Sequence, residues 1–248
     1  MDLFILCCAG FAAGVLNAVA GGGTFLSFPA LIAVGVPPVA ANATATLAAL
    51  PGYMSSAWGF RHDMQAEGSL PLRAIALIAT VGGLAGAFLL IVTPGATFLW
   101  IVPWLLLGAT LLFALGPALL GRMQARGGAS AGVAVSAAAI LVVSVYGGYF
   151  NGGLGIMLLA TFSLIGYSNI HSMNGLKTVL SSLLSLVSSA AFIVAGLIAW
   201  EQALPLAVSA MIGGYIGARV SRRITRTDLL RHFVTAVGAI TALVFFLR

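Results

Sequence analysis

Four asparagines, two glycine clusters and one lysine are the residues of this chain whose types and spacing could do chemistry. Asn17 precedes Gly21, Gly22, Gly23 and Thr24; Asn151 is followed directly by Gly152, Gly153 and, two positions on, Gly155. Asn42 stands before Thr44 and Thr46, and Asn174 before Lys177, Thr178 and Ser181. A helix broken at such a cluster exposes backbone N–H groups and the positive end of its dipole, which suits an anion. Amide side chains add donors, and Lys177, the only strongly basic residue inside an apolar segment, adds charge. Each feature has a second reading. The glycines could let helices approach closely, the amides could tie helix to helix, and Lys177 could snorkel to an interface. His171 is the nearest titratable group, either a proton-coupling site or a residue that caps a helix start.

All five carboxylates, Asp2, Asp63, Glu67, Glu201 and Asp228, fall at segment ends or in loops. A cation pathway or a proton or sodium relay usually places one within the membrane. Ser181 and Lys177, at i and i+4, are the one pair that tempts a serine-hydrolase reading, but no oxyanion motif accompanies them, and no enzyme is expected. The adjacent Cys7 and Cys8 do not suit a disulfide. With three histidines and no metal-ligand spacing, neither a metal nor another cofactor is expected.

These residues lie in a setting that is 61% hydrophobic and 6% charged, outside the range of soluble domains. The net charge of +6 does not indicate nucleic acid, because the basic residues sit in short loops between apolar runs. The expected partners are a small anionic substrate and the lipid bilayer, and a chain of this size admits a homodimer. The fold class is all-α: a polytopic helical membrane protein.

A repeat organises the runs. Gly82-Gly83-Leu84-Ala85-Gly86-Ala87 returns 131 positions later as Gly213-Gly214-Tyr215-Ile216-Gly217-Ala218. Gly21-Gly22 returns at the same offset as Gly152-Gly153, and Gly35 as Gly166; Asn42 and Thr46 return one residue later still as Asn174 and Thr178. Gly108-Ala109 returns as Gly238-Ala239. The domains read as a first membrane repeat over 1–121, a cytoplasmic linker over 122–131 and a second repeat over 132–248. Apolar segments fall at 3–20, 24–35, 39–59, 71–92, 97–120, 132–150, 154–167, 172–199, 203–220 and 229–247. Segments 24–35 and 154–167 are too short to span, so each repeat opens with a glycine-broken helical hairpin, over 3–35 and 132–167, whose second arm is short or re-entrant. For the GGxxGA strings, inside unbroken spans, packing is the expected role.

Arg61 and Arg73, Arg122 and Arg126, and five arginines over 219–231 mark three basic loops, whereas 93–96 and 200–202 carry no Lys or Arg. Basic loops stay cytoplasmic. Equivalent loops of the two repeats then lie on opposite sides, which makes the repeats inverted and places both termini outside. Inverted repeats with broken helices are the architecture of many secondary transporters. A channel, or a membrane subunit without transport of its own, is the alternative.

The string from Asn17 to Leu31, NAVAGGGTFLSFPAL, resembles the first signature of the TauE/SafE sulfite exporter family, and Gly35–Thr44 continues it. Tyr146–Met157, YGGYFNGGLGIM, and Ile170–Lys177, IHSMNGLK, resemble the second half of that family. Met157 and Leu158 replace a further glycine run, so the two glycine loops are not identical. The resemblance covers the chain nearly end to end. It implies a permease of the bacterial inner membrane for small sulfur-containing anions such as sulfite, sulfoacetate or related organosulfonates.

Overall fold

A computed structural model of the chain describes residues 1–19, 21–61, 68–125, 132–221 and 227–247. Among the described residues ten α-helices follow one another: α1 (Asp2–Val19), α2 (Thr24–Ala33), α3 (Pro38–Gly59), α4 (Leu72–Val92), α5 (Gly95–Ala125), α6 (Val133–Tyr149), α7 (Leu154–Leu164), α8 (Ile170–Val194), α9 (Trp200–Ser221) and α10 (Thr227–Phe246). There is no strand among the described residues. Asp63, Glu67, Arg126, Arg222, Arg223 and Arg226 lie outside the described residues, as do the side chains of Asp228 and Arg231.

Helices α1 to α5 and α6 to α10 repeat one pattern, a long helix, a short one and three long ones. The two short arms are α2, of 10 residues, and α7, of 11, where the glycine clusters predict them. Each short arm ends in the same device. The Val36 N–H reaches back to Leu31 O at 3.0 Å and the Tyr167 N–H to Phe162 O at 2.9 Å, around Gly35 and Gly166. Such bonds satisfy the carbonyls that a helix end leaves open. The turn after α8 differs from the sequence-based boundary: α8 stops at Val194 and α9 begins at Trp200. Leu197 N–H bonds Phe192 O at 3.0 Å around Gly196, whose φ of +70° ends the helix five residues earlier than hydropathy alone indicates.

The helices pair in matching sets: α1 packs on α9 as α6 packs on α4, and α3 packs on α9 as α8 packs on α4. The counterparts α3 and α8 pack on each other, as do α5 and α10. Helices α3 and α8 run antiparallel. Near the start of α3, Thr44 Oγ1 accepts the Ala199 N–H beyond the end of α8 at 3.0 Å; past the far end of α3, the Ser69 N–H donates to Ile165 O ahead of α8 at 3.0 Å.

The GGxxGA strings sit in the closest helix contacts. A Cβ on Gly82 would lie 2.7 Å from Ser144 Cβ in α6, and one on Gly217 would lie 2.8 Å from Val15 Cα in α1. Small residues are what lets apolar helices approach without a hydrophobic driving force between them. Gly108, another repeat anchor, has nothing within 4 Å of an added Cβ. Gly108→Ala is therefore expected to be neutral or to stabilise by up to ~1 kcal/mol through helix propensity, read as an unchanged or raised unfolding temperature in detergent.

Asp2–Val19, Leu72–Val92, Gly95–Gly116, Ile170–Val194 and Trp200–Val220 are long and apolar enough to cross a bilayer. Leu77, Val81, Phe88, Val142, Leu204 and Val208 point outward, the apolar belt that lipid covers. This is a multi-pass membrane protein.

Candidate functional site

The two helix breaks meet. Gly21 closes α1, its N–H bonding Leu16 O at 2.8 Å, and takes a φ of +83° that other residues rarely adopt. A Cβ on Gly21 would lie 2.5 Å from Gly155 Cα, and one on Gly155 would lie 2.5 Å from Gly21 Cα. The chain crosses itself here backbone against backbone, 134 positions apart in sequence (155 minus 21).

Side chains of the first break hold its shape. Asn17 Oδ1, buried, accepts the Gly23 N–H at 2.7 Å and so caps α2 from inside α1. Asn17→Ala would leave that buried donor unpaired and is expected to cost ~1–3 kcal/mol, measured as a lower unfolding temperature of the purified protein. Thr24 is buried beside it. Among the described residues, the N–H groups of Gly22 and Thr24 have no acceptor.

At the second break Phe150 is extended and Gly153, with a φ of +72°, opens α7. Tyr146 Oη donates to Gly152 O at 2.6 Å. Phe150 lies edge-on to Phe28 of α2, with ring centroids 6.1 Å apart. The N–H groups of Gly152, Gly153 and Gly155 likewise have no acceptor among the described residues. Asn151 spans the junction: its Oδ1 accepts from Tyr53 Oη of α3 at 3.3 Å and its Nδ2 donates to Ser185 Oγ of α8 at 3.2 Å.

Lys177, the only lysine of the chain, is 1% exposed. Its ammonium turns inward and crosses to the first break, donating to Ala18 O at 3.4 Å and to Asn174 Oδ1 at 2.9 Å. An ammonium has three N–H donors, so one remains without an acceptor among the described residues. Neither Asp2 nor Glu201, the carboxylates whose side chains are described, pairs with it. The structure thus joins α8 to the end of α1 through a buried charge that lacks a counter-ion among the described residues, a costly arrangement unless an anion arrives.

Asn42 reaches the end of α6, next to the second break. Asn42 Nδ2 donates to Tyr149 O at 2.8 Å, but its buried Oδ1 has no partner. Thr46 and Thr178 hydroxyls bond backbone carbonyls of their own helices, those of Asn42 and Gly175. His171 is exposed at the start of α8, where its N–H bonds the capping side chain of Asn169 at 2.9 Å. Ser181 Oγ has no partner, so it makes no hydrogen bond to Lys177. Tyr53, Ser185 and the Ala18 carbonyl are site groups that a search for amides and glycines passes over. The signal for the first two is their place in the repeat: Tyr53 and Ser185 are 132 positions apart, the offset that relates Asn42 to Asn174. A small hollow of about 10 Å³ lies beside Asn17, bordered by Ser27, Ala48 and Ala49.

Comparison with known proteins adds the context of this geometry. The family model described as sulfite exporter TauE/SafE matches residues 6–245. A probable membrane transporter protein of Haemophilus influenzae is 30% identical over 221 residues, covering 88% of this chain and 84% of that one. A probable membrane transporter of Sinorhizobium is 27% identical, over 88% of this chain and 82% of its own. The probable membrane transporter YfcA of Escherichia coli K12 is 28% identical, over 92% and 83%.

Proposed function

The chain belongs to the sulfite exporter TauE/SafE family and is a membrane transporter of that type; from that premise we propose that it exports a small sulfur-containing anion, such as sulfite, sulfoacetate or a related organosulfonate, by alternating access. The observation that carries this reading is the convergence of two broken helices, from opposite halves, beside a buried lysine that has no carboxylate partner among the described residues. The site is Asn17, Gly21–Thr24, Asn151–Gly153, Gly155, Asn174 and Lys177. The N–H groups at the starts of α2 and α7 that have no acceptor among the described residues hold the anion's oxygens, and the two helix dipoles point their positive ends toward it.

The matched helix pairing and the antiparallel run of α3 against α8 support an inverted relation between the halves. Rocking one half against the other would part Gly21 from Gly155 and open the site to one side at a time. Lys177 would exchange the Ala18 carbonyl for the anion. Basic loops on the cytoplasmic side of a bacterial inner membrane, with both termini outside, complete the arrangement. Export follows from energetics. An anion leaving a cell that is negative inside moves downhill by ~2.3 kcal/mol per charge per 100 mV, so a coupling carboxylate is not needed.

Binding tests the substrate class. Sulfite, thiosulfate, sulfoacetate and taurine are added to the purified protein and the unfolding temperature is followed. A bound anion at a hundredfold over its Kd stabilises by about 2.7 kcal/mol, so at least one sulfur anion is expected to raise the transition and to do so less in Lys177→Ala. No shift with any of the four, or an equal shift in the variant, contradicts the reading.

A further inference from the structure

Helix α8 carries a polar stripe that is only partly repeated in its counterpart α3. Asn174, Lys177, Thr178, Ser181, Ser185, Ser188 and Ser189 recur at intervals of three and four, so they share roughly a third of the helix circumference over ~22 Å. Except for the half-buried Asn174, all are buried. Shifting by 132 places Asn42, Ala45, Thr46, Ala49, Tyr53, Ser56 and Ala57 at the same positions of α3. The shared polar positions have structural work. Ser56 bonds Gly214 O as Ser188 bonds Gly83 O, and Thr46 and Thr178 both bond their own helix.

The positions that differ are Lys177 against Ala45, Ser181 against Ala49, Ser185 against Tyr53 and Ser189 against Ala57. Alanine fills three of these places in α3, so packing in such a helix pair does not require a hydroxyl. Ser181 and Ser189 are 1% and 2% exposed, yet neither hydroxyl has a hydrogen-bond partner. Nor does the buried hydroxyl of Ser144, on the neighbouring α6. A buried hydroxyl without a partner costs free energy and calls for one, water or a ligand.

We propose that Lys177, Ser181, Ser185 and Ser189 form one wall of a hydrated anion route, leading from the paired breaks along α8 toward its C-terminal end. This rests on the anion reading above for its cargo. The route is sealed in this conformation and opens when α8 parts from a neighbour. Beyond Ser189, past the end of α8, lies an open hollow of about 270 Å³, lined by Gly35, Val36, Gly196 and Gln202. This is the side of the 195–199 turn, the side without basic loops and, on the reading above, the exit side of an exporter. Hydroxyls that both donate and accept let successive anion oxygens pass along the stripe without a deep trap, and Lys177 sets the sign of what enters.

Cysteine accessibility tests it in the full-length protein. Cys7 and Cys8 are first replaced by alanine, and Ser181→Cys and Ser189→Cys are compared with Ala45→Cys and Ala57→Cys at the equivalent places of α3. A membrane-impermeant methanethiosulfonate bearing a sulfonate is added from each side. Reaction needs a hydrated thiolate, so the α8 pair should react at least about tenfold faster than the α3 pair, and faster from the side of the 195–199 turn. Equal rates in the two helices, or no reaction at Ser181→Cys and Ser189→Cys in protein that still carries a sulfur anion, overturn the route and leave the anion reading intact. Fast reaction in protein that neither binds nor carries any sulfur anion supports the hydrated stripe and removes its cargo.

Discussion

Lys177→Met is expected to lower the apparent affinity for the carried anion by about 30-fold or more, since losing a buried charged partner costs ~2 kcal/mol or above. The same change should leave the unfolding temperature unchanged or raise it. Lys177 has no carboxylate partner among the described residues, and its ammonium is held only by the Asn174 amide and the Ala18 carbonyl. Replacing a poorly paired buried charge by an apolar side chain of similar volume is often neutral or stabilising. The two readouts therefore separate the roles. Function lost with stability kept identifies a charge held for a ligand. A lysine that served only to tie α8 to α1 would show the reverse, a lowered unfolding temperature in a protein whose residual anion affinity is normal. Measuring both on one preparation makes the distinction, and Lys177→Arg, which keeps the charge with another shape, should retain part of the affinity.

Gly21→Ala is expected to be strongly destabilising, because backbone strain and a collision coincide there. Its φ of +83° costs a residue with a Cβ ~1–2 kcal/mol. The added carbon would also press on Gly155 Cα at 2.5 Å, an overpacking against backbone that costs ~1–3 kcal/mol or more. Gly155→Ala makes the same collision from the other side without the left-handed strain, because the positive-φ glycines do not include it. The unfolding temperatures should therefore rank as wild type, then Gly155→Ala, then Gly21→Ala, with transport falling in the same order. Gly108→Ala, where the added carbon meets nothing, supplies the matched control. A Gly21→Ala protein as stable as wild type would mean that the two breaks do not touch.

Much of this architecture is legible in the sequence. Hydropathy and glycine clusters place the ten helices, with the short arms at α2 and α7, because helix length and helix breaking are local properties. The GGxxGA strings read as packing contacts because small residues at that spacing leave one face of a helix flat. What local pattern does not carry is which break faces which. The contact of Gly21 with Gly155, the reach of Lys177 to the Ala18 carbonyl and the bridge from Tyr53 through Asn151 to Ser185 all join residues of opposite halves. Such contacts depend on how the halves dock. The inward turn of Lys177 was equally hidden, since a lysine one or two turns into a helix has an interface within reach. Only its neighbours across the fold decide its direction. The end of α8 at Val194 was missed for a simpler reason: Leu197, Ile198 and Ala199 are as apolar as the helix they follow.

The central claim is that a sulfur anion moves through this protein under membrane potential alone. Purified protein in liposomes, loaded with sulfite or sulfoacetate and given an imposed potential with and without a pH gradient, measures that directly. Saturable efflux that follows the potential, is indifferent to the pH gradient and is lost in Lys177→Met is the predicted result. Flux that requires a pH gradient, or none with sulfite, thiosulfate or sulfoacetate in protein shown to be folded, would contradict it.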